Sequence, residues 1–253
     1  MQLKNDLTGR VALVTAAAGP GIGRATAGLL AEHGATVVLT DRAGDRVAEA
    51  VRDLARTDVH GLTLDVTDEQ RVAEVFEQVL RDHGRIDILV NNAGTSLPAP
   101  IWEISTAAWR KVVDVCLTGA FFTMRAVLPH MIARGSGSIV NIASTEAWTS
   151  RTPGNTAYHA AKAGLLALTR STAVQVGPHQ VRVNCVAPGL TPNPLLSRVI
   201  PEQDLREMRD EIPLGRPSTP EDIADSVLFL AGDASRSITG ETIAVCGGSA
   251  MRP

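Results

Sequence analysis

An alternation of two segment types constrains the fold most. Short runs rich in β-branched residues occur at Val11–Thr15, Thr36–Asp41, Val59–Leu64, Ile86–Asn91, Ser138–Ile142, Val181–Val186 and Thr242–Val245. Longer amphipathic segments separate them, at about Gly21–His33, Asp45–Arg56, Glu69–His83, Thr106–Arg134, Thr156–Val176 and Pro220–Ala231. Asp68 and Thr219-Pro220 stand where helices should start. Strands divided by helices need crossover connections, which favour a parallel sheet covered on both faces. The expectation is an α/β, doubly wound parallel sheet of about seven strands flanked by helices. Ligands of such sheets lie beyond the carboxyl ends of the strands, so the residues that follow each strand are where chemistry is sought.

The chain of 253 residues is 44% hydrophobic and has no Pro/Ser-rich linker or repeat, so one domain over residues 1–253 is expected. A net charge of −3 with scattered Lys and Arg gives no basic face for nucleic acid or an anionic membrane, and favours a small-molecule partner. The N-terminus MQLKNDLTGR lacks an apolar leader core, and no later window reads as a membrane span, so a cytoplasmic location is expected. Cys116, Cys185 and Cys246 are far apart and lack zinc spacing; no metal is expected, and buried thiols are the simpler reading.

After the first strand, Thr15 to Gly23 reads T-A-A-A-G-P-G-I-G. Gly19, Gly21 and Gly23 let backbone approach a pyrophosphate, and the helix opening near Gly21 and Ile22 presents its positive end. A glycine-rich turn by itself is weak evidence. Asp41, after the second strand, stands 18 residues beyond Gly23, near the spacing at which a carboxylate takes an adenosine ribose. It would repel a 2′-phosphate, which Arg42 could instead pair with, so NAD is preferred over NADP. A solvated Asp-Arg turn is the bland alternative. Asp65-Val66 suits an adenine contact or a helix cap. Asn91-Asn92-Ala93-Gly94 supplies small residues and two amides where a cofactor ribose and the fourth strand end would meet, which makes Asn92, Ala93 and Gly94 candidates for cofactor contact.

Tyr158 and Lys162, in Y-H-A-A-K, share one helix face. An ammonium nearby is expected to lower the phenol pKa toward working pH, although such a pair is often only a surface contact. Ser144, ending I-V-N-I-A-S, could donate to a carbonyl oxygen, with Thr145 as the adjacent competitor. Proton transfer alone does not reduce a carbonyl, and the dinucleotide site would supply the hydride.

Taken together, the glycine loop, N-N-A-G, Ser144 and Y-x-x-x-K resemble the short-chain dehydrogenase/reductase family over nearly the whole chain, from Gly9-Arg10-Val11 to Gly247-Gly248. The resemblance implies a Rossmann-type domain, a homotetramer or homodimer, and NAD(P)-dependent interconversion of secondary alcohols and ketones. It assigns Tyr158 as general acid/base, Lys162 to the nicotinamide ribose and Ser144 to the carbonyl. Pro188-Gly189 resemble the turn beside the nicotinamide, with Val186 or Leu190 offering backbone to the carboxamide. Residues from Leu190 to about Pro217 resemble a substrate lid, in which Leu195 would face an apolar substrate.

Departures from the family pattern are informative. Ala16 replaces the loop's first glycine, the loop is one residue longer, and so is the interval from Ser144 to Tyr158. Cys116 stands where the family carries a catalytic-relay Asn; Asn193 stands where many members place a Thr, leaving the carboxamide contact to Asn193 or Thr191. Cys246 replaces an Asp in the closing V-D-G-G. Glu146, Trp148, Trp102 and His159 are candidates for a substrate wall or for ordinary packing. An oxidoreductase is the expected activity, and a non-catalytic dinucleotide sensor on the same fold is the alternative.

Overall fold

The computed structural model describes residues 6–192 and 202–251. Its strands are β1 (Val11–Val14), β2 (Thr36–Asp41), β3 (Val59–Thr63), β4 (Ile88–Asn91), β5 (Gly137–Ile142), β6 (Val181–Pro188) and β7 (Thr242–Val245). They form one sheet in the order β3-β2-β1-β4-β5-β6-β7, and every pairing is parallel. The helices are α1 (Ile22–Glu32), α2 (Gly44–Leu54), α3 (Glu69–His83), α4 (Thr106–Val113), α5 (Gly119–Arg134), α6 (Glu146–Thr149), α7 (Thr156–Val176), α8 (Glu202–Asp210) and α9 (Pro220–Ala231).

The side-chain period of two divides each strand between the two helical layers. Ala12 and Val14 of β1 pack with Ala27 and Leu30 of α1 and Val227 of α9. Val11 and Leu13 pack on the other face with Phe76 of α3 and Val127 of α5. Burial on both faces explains why β1 reads as an unbroken apolar run. The cap residues behave as the sequence suggests: Asp68 accepts from Arg71 N at 2.9 Å, and Thr219 with Asp222 closes a capping box on α9.

Three details were not legible. The helical stretch Thr106–Arg134 is interrupted by a π turn over Asp114–Thr118, where the Gly119 N–H reaches the carbonyl of Asp114. A window in this stretch reaches a mean hydropathy of 1.5, so one helical run is long and apolar enough to pass as a membrane span, contrary to the sequence reading. Its Val112 and Cys116 are buried against α7, and Met124, Val127 and Met131 against the sheet, so this apolarity serves the core. Short helix α6 follows β5, and α8 falls within the expected lid.

Ala16, at the point where β1 passes into the glycine loop, has φ 51°. An L-residue in this left-handed region costs about 1–2 kcal/mol, whereas a glycine there forfeits about 0.5–1 kcal/mol through its looser unfolded chain. Ala16→Gly should therefore stabilise the fold by about 0.5–1 kcal/mol, read from a urea denaturation midpoint; a lowered midpoint would contradict this account of the turn.

Candidate active site

The site lies at the carboxyl ends of the strands, where β1 and β4 are neighbours and the chain order reverses. Thr15 Oγ1 accepts from the backbone N–H of Asn92 at 2.9 Å and of Ala93 at 3.2 Å. The Asn92 side chain returns two bonds of 3.0 Å, from Nδ2 to the carbonyls of Thr15 and Ala16. Arg24 donates to the carbonyl of Ala18 and pairs with Asp53. The loop is thus held from behind. Asn92 acts as its strap, a role sequence reasoning missed when it assigned this amide to the cofactor.

The three glycines divide by task. A Cβ on Gly23 would stand 2.5 Å from Asn92 Nδ2 and 2.8 Å from the Ala16 carbonyl, so this glycine is required by packing. Around Gly19 and Gly21 a Cβ would meet nothing within 4 Å. Gly21 precedes α1 without a side-chain cap, so the N–H groups of the first turn, beginning at Ile22, face an open cradle suited to an anion.

At the end of β2, Asp41 is buried and accepts from Ala43 N at 3.1 Å and Arg46 Nη2 at 2.9 Å, both at Oδ1. Oδ2 has no hydrogen bond among the described residues. Arg42 is exposed; the cation that Asp41 holds is Arg46, which sequence reasoning passed over because it sits within α2. Asp65 Oδ1 accepts from the backbone and hydroxyl of Thr67, closing the turn before α3, while Val66 is buried. An uncapped helix start, an open glycine cradle and a carboxylate at the next strand end together fit a dinucleotide.

Across the switch point, α7 supplies Tyr158 and Lys162. The Lys162 side chain is buried, donates to the Ile142 carbonyl at 2.6 Å, and lies 5.6 Å from the Tyr158 ring centroid. The Ser144 side chain is near enough to Tyr158 to act on its phenol, and its Oγ accepts from Glu146 N at 3.2 Å. Burial pushes the Tyr158 phenol above its ordinary pKa; Lys162 and Ser144 pull it down, while Cys116 and Glu146 push it up. The downward shift expected from Lys162 is therefore present but outweighed by desolvation.

Cys116 is buried in the π turn, and its thiol both accepts from Thr95 N and donates to Thr95 O, each at 3.3 Å. A Cβ on Gly94 would lie 3.6 Å from Lys162 Nζ and 4.0 Å from Cys116 Sγ, which brings N-N-A-G, the π turn and α7 to one place. Pro188 ends β6 and Gly189 follows it: the Pro188 carbonyl accepts from Thr145 N at 3.0 Å, and a Cβ on Gly189 would stand 2.6 Å from that of Cys246. The Leu190 carbonyl accepts from Ser218 N, and Thr191 Oγ1 donates to the Gly189 carbonyl at 3.2 Å.

Other candidates fall elsewhere. Glu146 Oε2 accepts from Thr152 N and faces His159 Nε2. Trp148 packs against the buried cluster of Ala143, Leu165 and Cys185 as core, and Trp102 is exposed. Asn193 and Leu195 lie outside the described residues.

A family model described as enoyl-(acyl carrier protein) reductase matches residues 16–250. The chain is 44% identical to cis-4-hydroxycyclohexanecarboxylate dehydrogenase of Sinomonas cyclohexanicum, covering 94% of this chain and 96% of the relative. It is 39% identical to 3-oxoacyl-[acyl-carrier-protein] reductase FabG of Thermotoga maritima, covering 96% and 98%. This chain belongs to the short-chain dehydrogenase/reductase family. A solved family member from Agrobacterium tumefaciens, provisionally assigned as a gluconate dehydrogenase, superposes with a TM-score of 0.94 at 33% identity over 100% of both chains. The short-chain dehydrogenase/reductase assignment makes the protein an oxidoreductase acting on CH–OH and C=O groups with a nicotinamide cofactor.

Gly23→Ala would force the Asn92 strap and the loop backbone apart. Overpacking of this kind costs about 1–3 kcal/mol, so a urea melt should show a loss of that order, with weaker dinucleotide binding. A variant as stable as the wild type would show that the strap yields.

Proposed function

We propose that the enzyme moves hydride between NAD(H) and a secondary alcohol or ketone, with Tyr158 as general acid/base. The observation that carries this reading is the nearness of both the Ser144 side chain and the Lys162 ammonium to Tyr158, at the same sheet edge as the glycine cradle. In this reading the backbone of Gly19, Gly21, Ile22 and Gly23 holds the pyrophosphate, and Asp41 takes the adenosine ribose. Asp65-Val66 would face the adenine, Ala93 and Gly94 the adjoining ribose, and Pro188, Gly189 and Thr191 the carboxamide. The bound nicotinamide supplies or accepts the hydride.

The protein's own task is the proton. In reduction the Tyr158 hydroxyl gives its proton to the nascent alkoxide while Ser144 steadies the carbonyl oxygen; in oxidation the phenolate removes it. Lys162 favours that phenolate electrostatically. Cys116 anchors Thr95 through both backbone groups, in place of the relay Asn of relatives. Substrates of apolar, cyclic or acyl type are proposed, because the relatives are named for a hydroxycyclohexane carboxylate and for 3-oxoacyl groups. The segment from Leu190 to about Pro217 would cover them. We place the enzyme in the cytoplasm as a homotetramer or homodimer. The sensor alternative has no specific observation in its favour.

Tyr158→Phe should lower turnover by about 10²–10⁴-fold while leaving NADH affinity, followed by nicotinamide fluorescence, nearly intact; retained turnover would sink the assignment. Because burial holds the phenol pKa up, alcohol oxidation should climb as pH rises toward the phenolate form, and ketone reduction should fall only as that form accumulates. For the cofactor, Asp41→Ala removes the carboxylate that repels a 2′-phosphate and frees Arg46. The ratio of NADPH to NADH affinity should rise at least about tenfold, the effect of roughly 1.4 kcal/mol; an unchanged ratio would place the cofactor choice elsewhere.

A further inference from the structure

Glu146 opens α6, two residues after Ser144, and His159 follows Tyr158 on α7. Their side chains are only 13% and 16% exposed, and His159 Nε2 lies 2.5 Å from Glu146 Oε2. The ring nitrogen makes no aligned hydrogen bond there, so the contact is one of charge and packing, an ion pair whenever the imidazole holds its proton. The same carboxylate oxygen accepts from Thr152 N at 3.2 Å, and the backbone N–H of Glu146 donates to Ser144 Oγ. Arg151, on the same loop, is bound elsewhere, to Glu211 and to the carbonyl of Ser249. Lys162 is spent on Ile142. A carboxylate so enclosed is costly unless partnered, and the His159 ring and Thr152 N are the partners at hand.

We propose that Glu146 and His159 are a positioning pair that ties α6 and the loop 150–155 to α7, and thereby holds Ser144 against Tyr158. This inference rests on the reaction roles given above to Ser144 and Tyr158. Neither residue of the pair touches the reacting atoms; both act through their neighbours. The far end of the loop is held separately, by a hydrogen bond between Asn155 and Ser96.

The test uses the full chain carrying Glu146→Ala, Glu146→Gln, His159→Ala or Glu146→Ala with His159→Ala, beside Tyr158→Phe, with folding checked by circular dichroism. Each single alanine should lower kcat by about 10- to 100-fold, the scale of a misplaced catalytic group, with KM little changed. The double variant should fall no further than the worse single, because the two act as one unit. Glu146→Gln, whose amide oxygen still accepts from Thr152, should recover most of kcat. Independently of turnover, trypsin should cut the cofactor-free protein after Arg151 faster in Glu146→Ala and at the wild-type rate in Tyr158→Phe. Additive losses, an unchanged cleavage rate in Glu146→Ala, or a raised KM with kcat preserved would overturn the pair. Turnover surviving in Tyr158→Phe would instead overturn the reaction assignment, and the cleavage rates would still decide whether the pair holds the loop.

Discussion

The bonds between Thr15 and Asn92 are the constraint on which the site depends. In a parallel sheet ordered β3-β2-β1-β4-β5-β6-β7, successive crossovers leave β1 in opposite directions, and the crevice opens between the ends of β1 and β4. Thr15 and Asn92 close that crevice from below, each bonding the backbone of the other's segment. The glycine loop can remain open above because its carbonyls are satisfied beneath. Gly23 lacks a side chain so that the strap can approach, and Ala16 accepts an unfavourable backbone conformation at the same turn.

A second set of buried bonds sets the register of the chemistry. Thr123 of α5 donates to Asn91 Oδ1 at 2.6 Å, Asn91 donates to Asn141 at 2.8 Å, and Asn141 donates to Thr169 of α7 at 2.9 Å. Thr169 meets Cys185 of β6, whose thiol burial pushes up to about 11. Such a satisfied network in a low-dielectric interior fixes one arrangement. Thr169 lies two turns beyond Lys162 on the same face of α7, so the network that seats α7 on β5 also aims the lysine at the site.

The parallel, two-faced sheet was legible because burial on both faces writes long apolar runs, and the glycine loop and Y-H-A-A-K because their spacing reflects close backbone approach and a shared helix face. The π turn was not, since Asp114–Thr118 differs from α-helix only in that its hydrogen bonds span five residues instead of four, and no residue type signals it. The strap formed by Asn92 and the close packing at Gly23 were not legible, because a strap behind the loop and a contact in front of it call for the same small or amide residues. Arg46 was missed because its partner Asp41 lies on a different element. Glu146 looked available to substrate until the fold brought His159 and Thr152 to it. The direction of the Tyr158 shift turned on burial, which a single i, i+4 pair does not reveal.

The central claim is that one sheet edge holds both the dinucleotide and the proton donor. A crystal structure of the full chain with NADH bound tests it most directly. The account predicts the pyrophosphate against the backbone N–H groups of Gly19, Gly21 and Ile22, the adenosine ribose on Asp41 Oδ2, and the nicotinamide ring beside Tyr158 and Lys162. A dinucleotide whose phosphates lie away from the start of α1, or whose nicotinamide is out of reach of Tyr158, would contradict it.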